Sequence, residues 1–125
     1  STHHTPYTRY ADIPAYVTKD GSVIRELMHP QQHGGRAQSL AEATVPPGTR
    51  TLLHRHRLTE ELYHVTAGHG LMTLGERRFE VGPGGLAQAG EKTAEQVQST
   101  ERILARRISA WVMLSPYMLA MLRSQ

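Results

Sequence analysis

The chain predicts an all-β domain, a sandwich or a barrel, on three observations. Its apolar and β-branched residues fall into short runs at 22–28, 38–45, 62–66, 71–74, 77–81 and 106–114. Gly, Pro and polar residues punctuate these runs as turns. Between the fourth and fifth runs stands Gly75-Glu76, the dipeptide of a tight hairpin in which glycine supplies positive φ.

Taken in order, residues 1–20 form an N-terminal arm without the apolar centre of a secretory signal, expected to be ordered or frayed. Runs 22–28 and 38–45 are the first two strands. In the run after Glu61, alternation puts Tyr63 and Val65 on one face with the glutamate, and Leu62 and His64 on the other. Runs 71–74 and 77–81 are the hairpin. The last run offers two faces, Arg107/Ser109/Trp111/Met113 and Arg106/Ile108/Ala110/Val112/Leu114, and the pattern leaves open which one lies inside. An arginine pointing inward would need a buried carboxylate partner, with Glu95 as a candidate. Met72, Leu74, Trp111 and Met113 are expected in the core. In the tail 116–125, Met118, Leu119, Met121 and Leu122 recur at helical spacing, so a short C-terminal helix covering the barrel or a partner subunit is expected.

Composition bounds the function classes. At 125 residues the chain fits a single domain, 1–125. With no cysteine it needs no disulfide framework, and no apolar stretch approaches the length that spans a bilayer; a cytoplasmic protein is expected. The net charge is +3, but the basic residues are scattered, with Arg77-Arg78 and Arg106-Arg107 as the adjacent pairs. Seven aromatics (one Trp, five Tyr, one Phe) are too few to interleave a basic face, which argues against a nucleic-acid partner.

The chemistry concentrates in His54-x-His56 and Glu61. On an extended strand the two imidazoles share a face about 6.6 Å apart along the backbone, close enough for one metal ion, while Arg55 faces away. The turn 57–60 returns Glu61 to the same cavity. Imidazole and carboxylate together suit a borderline or hard divalent ion.

With Gly48 before the histidines and Gly68 after the glutamate, this segment resembles the first motif of the cupin superfamily. Every position of the pattern is filled: Gly48, His54, His56, Glu61 and Gly68. The likeness extends over roughly residues 22–100, with the core motifs in 38–100. It implies a double-stranded β-helix, a small jelly-roll barrel of two antiparallel sheets. The second motif departs from the family. Gly82-Pro83-Gly84-Gly85 resembles its turn, with Gly85 where an aspartate is common. The position of the usual third metal histidine falls on Glu95, and no histidine follows His69.

The resemblance implies a small-molecule enzyme with its site inside the barrel. A divalent ion (Fe, Mn, Ni or Zn) held by His54, His56, Glu61 and also Glu95 would serve as Lewis acid toward an enolisable or hydroxylated carbonyl compound. Glu61, Glu95 and Tyr63 are the candidate catalytic groups for isomerase, lyase, cyclase or dioxygenase chemistry. Two alternatives stand beside it: a metal-independent cyclase or isomerase using the same His and Glu as acid and base, and a non-catalytic cupin that holds a small ligand. A homodimer is expected, with the tail and the N-terminal arm as pairing surfaces. His64 and His69 read as surface or turn residues, and His3, His4, His29 and His33 have no spacing that suggests chemistry.

Overall fold

The computed structural model describes residues 7–35, 37–57, 59–102 and 106–115. Its strands are β1 (Tyr16–Val17), β2 (Val23–Met28), β3 (Ser39–Val45), β4 (Glu60–Ala67), β5 (Gly70–Leu74), β6 (Arg77–Val81), β7 (Leu86–Ala89), β8 (Glu95–Ser99) and β9 (Ile108–Ser115). They form a six-stranded sheet in the order β1-β2-β3-β9-β4-β7 and a three-stranded sheet in the order β6-β5-β8. All the pairings are antiparallel, and the fold is an all-β jelly roll. No helix among the described residues is long and apolar enough to cross a membrane.

Burial in β4 follows the period of two. Glu61, Tyr63 and Val65 are buried while Leu62 is exposed. The pairings Tyr63↔Val112 and Val65↔Ala110 carry that parity into β9, so Ile108, Ala110 and Val112 point inward. Trp111 and Met113 therefore face out, 46% and 38% exposed. The expectation that they are core is corrected: a strand cannot bury both faces when one side of its sheet meets solvent. Trp111 instead stacks edge-on against His64, with ring centroids 5.8 Å apart. Arg106 and Arg107 precede the strand and are exposed, so neither seeks Glu95.

The core lies between the sheets. Met72, 1% exposed on β5, packs with Tyr63 and Val112 of the opposite sheet, and Val45, Val65, Ile108 and Ala110 continue it. Two glycines hold positions that disfavour other residues. Gly75 turns the β5–β6 hairpin at φ 61°. Gly68, at φ 79°, lies so close to β9 that a Cβ would stand 2.3 Å from the Arg107 carbonyl oxygen.

Three strands lack a legible signal. β1 has two residues, β7 reads Leu-Ala-Gln-Ala, and β8 reads Glu-Gln-Val-Gln-Ser with one β-branched residue; the backbone partners, not propensity, hold them extended. The arm reaches the sheet through β1, through Thr8 Oγ1 donating to the Leu27 carbonyl and through Tyr10 donating to Glu42. His3, His4 and the 116–125 segment, with its expected helix, lie outside the described residues.

Candidate metal centre

Segment 49–54 runs along the free edge of β8. Ser99 N–H donates to the Thr49 carbonyl, Thr51 N–H to Val97, His54 N–H to Glu95, and Glu95 N–H back to His54. This ladder, closed by the His54↔Glu95 bridge, brings the histidine segment beside Glu95. On its other side, Asp20 in the β1–β2 turn accepts from Leu52 N–H at 2.8 Å. β4 supplies Glu61 and Tyr63 from across the barrel. The two imidazoles have ring centroids 5.2 Å apart, and Arg55 is exposed on the far side.

His54, His56, Glu61 and Glu95 each offer one ligand atom, all within 4.8 Å of one another. Nε2 of His56 lies 3.1 Å from Glu61 Oε1, and Nε2 of His54 lies 3.8 Å from Glu61 Oε1 and 3.6 Å from Glu95 Oε1. The Nδ1 of His54 meets the Leu52 carbonyl at 3.0 Å, which fixes the ring and aims Nε2 into the cluster, as in metal-ligating histidines. The Tyr63 hydroxyl donates toward Glu61 Oε1 at 3.0 Å and Glu95 Oε1 at 2.6 Å.

One phenol proton between two carboxylates cannot satisfy both, and the electrostatics resolve the conflict by separating the two acids. Burial, at 1% exposure, together with the neighbouring Glu61 pushes Glu95 up to about 8, so it holds a proton at neutrality. Glu61 pays desolvation too, but hydrogen bonds from both imidazoles hold it well below the usual carboxylate range. The same carboxylate raises His54 to about 9. Burial and the two carboxylates push the Tyr63 phenol well above its ordinary value.

The cluster opens into a cavity of about 370 Å³ between the sheets. Ala41, Ala43, Ala110 and Val112 floor it, and the small alanines leave the space. Sequence reasoning missed the rim residues Tyr16, Asp20, Glu26 and His29. A signal existed for Glu26, which shares the inward face of Ser22-x-Ile24-x-Glu26 by alternation; Tyr16 and His29 carry none. His64 sits on β4, half-buried against Trp111, and Nδ1 of His69 meets the Glu101 carboxylate at 3.2 Å, away from the cluster. Nδ1 of His33 accepts from the His29 N–H, so it serves the single helical turn α1 (Pro30–His33).

No family model matches the chain. It is 49% identical over 92 residues, 74% of each chain, to the uncharacterized protein MJ1618 of Methanocaldococcus jannaschii. Among solved structures it resembles an RmlC-like cupin from Shewanella frigidimarina at TM-score 0.73 and 11% identity, covering 93% of this chain and 92% of that one. It also resembles the polyketide cyclase RemF from Streptomyces resistomycificus at TM-score 0.74 and 20% identity, covering 87% of this chain and 78% of that one. The filled glycine–histidine–glutamate pattern, the jelly roll and these likenesses agree: the chain has the cupin fold.

Proposed function

We propose that the chain is a small-molecule enzyme acting inside its barrel, with a divalent metal ion held by His54, His56, Glu61 and Glu95. The observation that carries this reading is the convergence of four ligand atoms within 4.8 Å. Its fit to a cation rests on an atom of the same cluster, Glu95 Oε2, which is buried with no hydrogen-bond partner among the described residues. A cation would satisfy it, and two imidazoles with two carboxylates suit Fe, Mn, Ni or Zn. When bound, the ion supplies Lewis-acid polarisation of the oxygens of an enolisable or hydroxylated carbonyl compound.

The remaining steps belong to the chain's own groups. Tyr63 spans Glu61 and Glu95 and holds the two carboxyl groups in place. Where the ion does not engage it, Glu95 carries a proton at an energy suited to exchange near neutrality, which fits a general acid or base in isomerisation, elimination or cyclisation. The apolar floor orients the body of the substrate and excludes water. The likeness to a polyketide cyclase supports the cyclase branch of this chemistry.

A second reading, a metal-independent cyclase or isomerase, is favoured by the separation of the two carboxyl groups, one held ionised and the other kept protonated, a pattern that assigns base and acid. Metal analysis of protein purified without chelator, beside His54→Ala/His56→Ala, separates the two. A stoichiometric ion absent from the variant supports the first. A metal-free wild type whose turnover disappears in Glu95→Gln supports the second, and ligand binding without turnover contradicts both.

A further inference from the structure

The cavity is chemically asymmetric. At one end stand the histidines and carboxyl groups of the candidate centre; at the other, Glu26 reaches in from β2. The register places them in one transverse row: Glu26 pairs with Ala41, Ala41 with Val112, and Val112 with Tyr63. Glu26 and Tyr63 are thus three strand spacings apart, about 14 Å along the curved sheet. Between them lie the side chains of an alanine and a valine, and nothing polar.

Glu26 is also differently placed from the other acid at the rim. Asp20 is saturated: it accepts from the hydroxyls of Thr18 and Ser22 and from the backbone N–H groups of Ser22 and Leu52. Among the described residues Glu26 has one hydrogen bond, from the Tyr16 hydroxyl to Oε1 at 2.9 Å, which leaves Oε2 available. The neighbouring Arg25 points to the opposite face, stacking on Tyr10 at 4.7 Å and pairing with Glu42. Among the described residues no Lys or Arg lines the cavity, whereas Asp20, Glu26 and Glu61 all do. A substrate bearing a phosphate or carboxylate away from the reacting end would meet the Glu26 carboxylate there.

We propose that the cavity takes an elongated, largely apolar substrate with a protonated amine at the end remote from the reacting oxygens, and that Glu26, positioned by Tyr16, selects it. The inference rests on the proposed function, which seats the oxygen-bearing head at the His/Glu cluster. It adds the substrate class and a specificity-determining residue. The selection is electrostatic: a carboxylate with one free oxygen in a partly dehydrated pocket forms a charge-assisted hydrogen bond with an ammonium group and repels an anion.

The test is calorimetric, on the full chain loaded with one equivalent of Zn²⁺. The probes are a phenyl-substituted β-diketone and its para-aminomethyl and para-carboxylate derivatives. The wild type is expected to bind the aminomethyl compound about tenfold or more above the parent, and the carboxylate below it. Glu26→Gln should bring the aminomethyl-to-parent ratio to near unity, and Tyr16→Phe should lower it part of the way. Glu26→Lys should invert the order in favour of the carboxylate, an outcome that a merely structural role for Glu26 does not produce. Equal binding of the three probes by the wild type, or a preference that survives Glu26→Gln, overturns this inference alone. Parent binding that persists undiminished in His54→Ala/His56→Ala, or no binding of any probe by the wild type, overturns the proposed function and this inference with it.

Discussion

Tyr63 shows how one side chain sets the chemistry of its neighbours. Its hydroxyl cannot neutralise two buried carboxylates, so the cluster settles with Glu61 ionised, Glu95 protonated and His54 charged. A divalent ion must displace the protons of His54 and Glu95, which are held up to about 9 and about 8. Metal affinity is therefore expected to rise steeply between about pH 7 and pH 9, with up to two protons released per ion, measurable by titration in buffers of different ionisation enthalpy. Glu95→Gln should flatten that dependence by one proton. Asp20 acts at a distance from the chemistry. Its carboxylate is held well below its ordinary 3.8, against the cost of burial, by hydrogen bonds from Ser22, Thr18 and Leu52. A lowered carboxyl group stabilises the fold above its unfolded value and loses that contribution as pH falls. Asp20→Ala is expected to cost ~1–2 kcal/mol in urea denaturation at neutral pH, and less in acid.

At the scale of elements, β9 divides the molecule into an inside and an outside. Ile108, 2% exposed, fills the core, whereas Met113 is 38% exposed on the outer face. Ile108→Ala should lower stability by about 2–4 kcal/mol and Met113→Ala by about 1 kcal/mol or less, read from paired denaturation curves; equal costs would contradict the assigned parity. Gly68→Ala should be more damaging than its size suggests, because the added Cβ meets the Arg107 backbone. These contrasts also mark what the sequence could tell. The β4 alternation was readable because Glu61, Tyr63 and Val65 could be assigned one face together. The β9 parity was not, since its two faces carry similar apolar content and only the pairing with β4 decides between them. The convergence of His54, His56 and Glu61 was legible in local spacing. The place of Glu95 came from the family pattern, and its bond to Tyr63 depends on a 32-residue separation that no local pattern encodes. Tyr16 and His29 were invisible as cavity residues, because they lie on a two-residue strand and at the edge of a single helical turn.

For the molecule as a whole, stability and function meet in the cluster. His54 is raised above its ordinary 6.5, so in the metal-free protein its contribution is complete below that value and is lost as pH rises through about 9. Glu95 is raised above 4.5, so its contribution is complete below 4.5 and disappears as pH rises through about 8. Glu61 and Asp20 are lowered and act in the opposite sense, supporting the fold above about pH 4. The metal-free chain should therefore be most stable in mildly acidic solution and lose melting temperature from about pH 5 to pH 9, with added metal restoring more of it at the alkaline end. The most direct test of the central claim is the stoichiometry of divalent-ion binding to chelator-stripped chain, by calorimetry and elemental analysis. One ion per chain, lost in a His54→Ala/His56→Ala variant that keeps its β-sheet circular dichroism, is the predicted result. A wild type that takes up no Fe, Mn, Ni or Zn, or a double variant that binds as the wild type does, would contradict it.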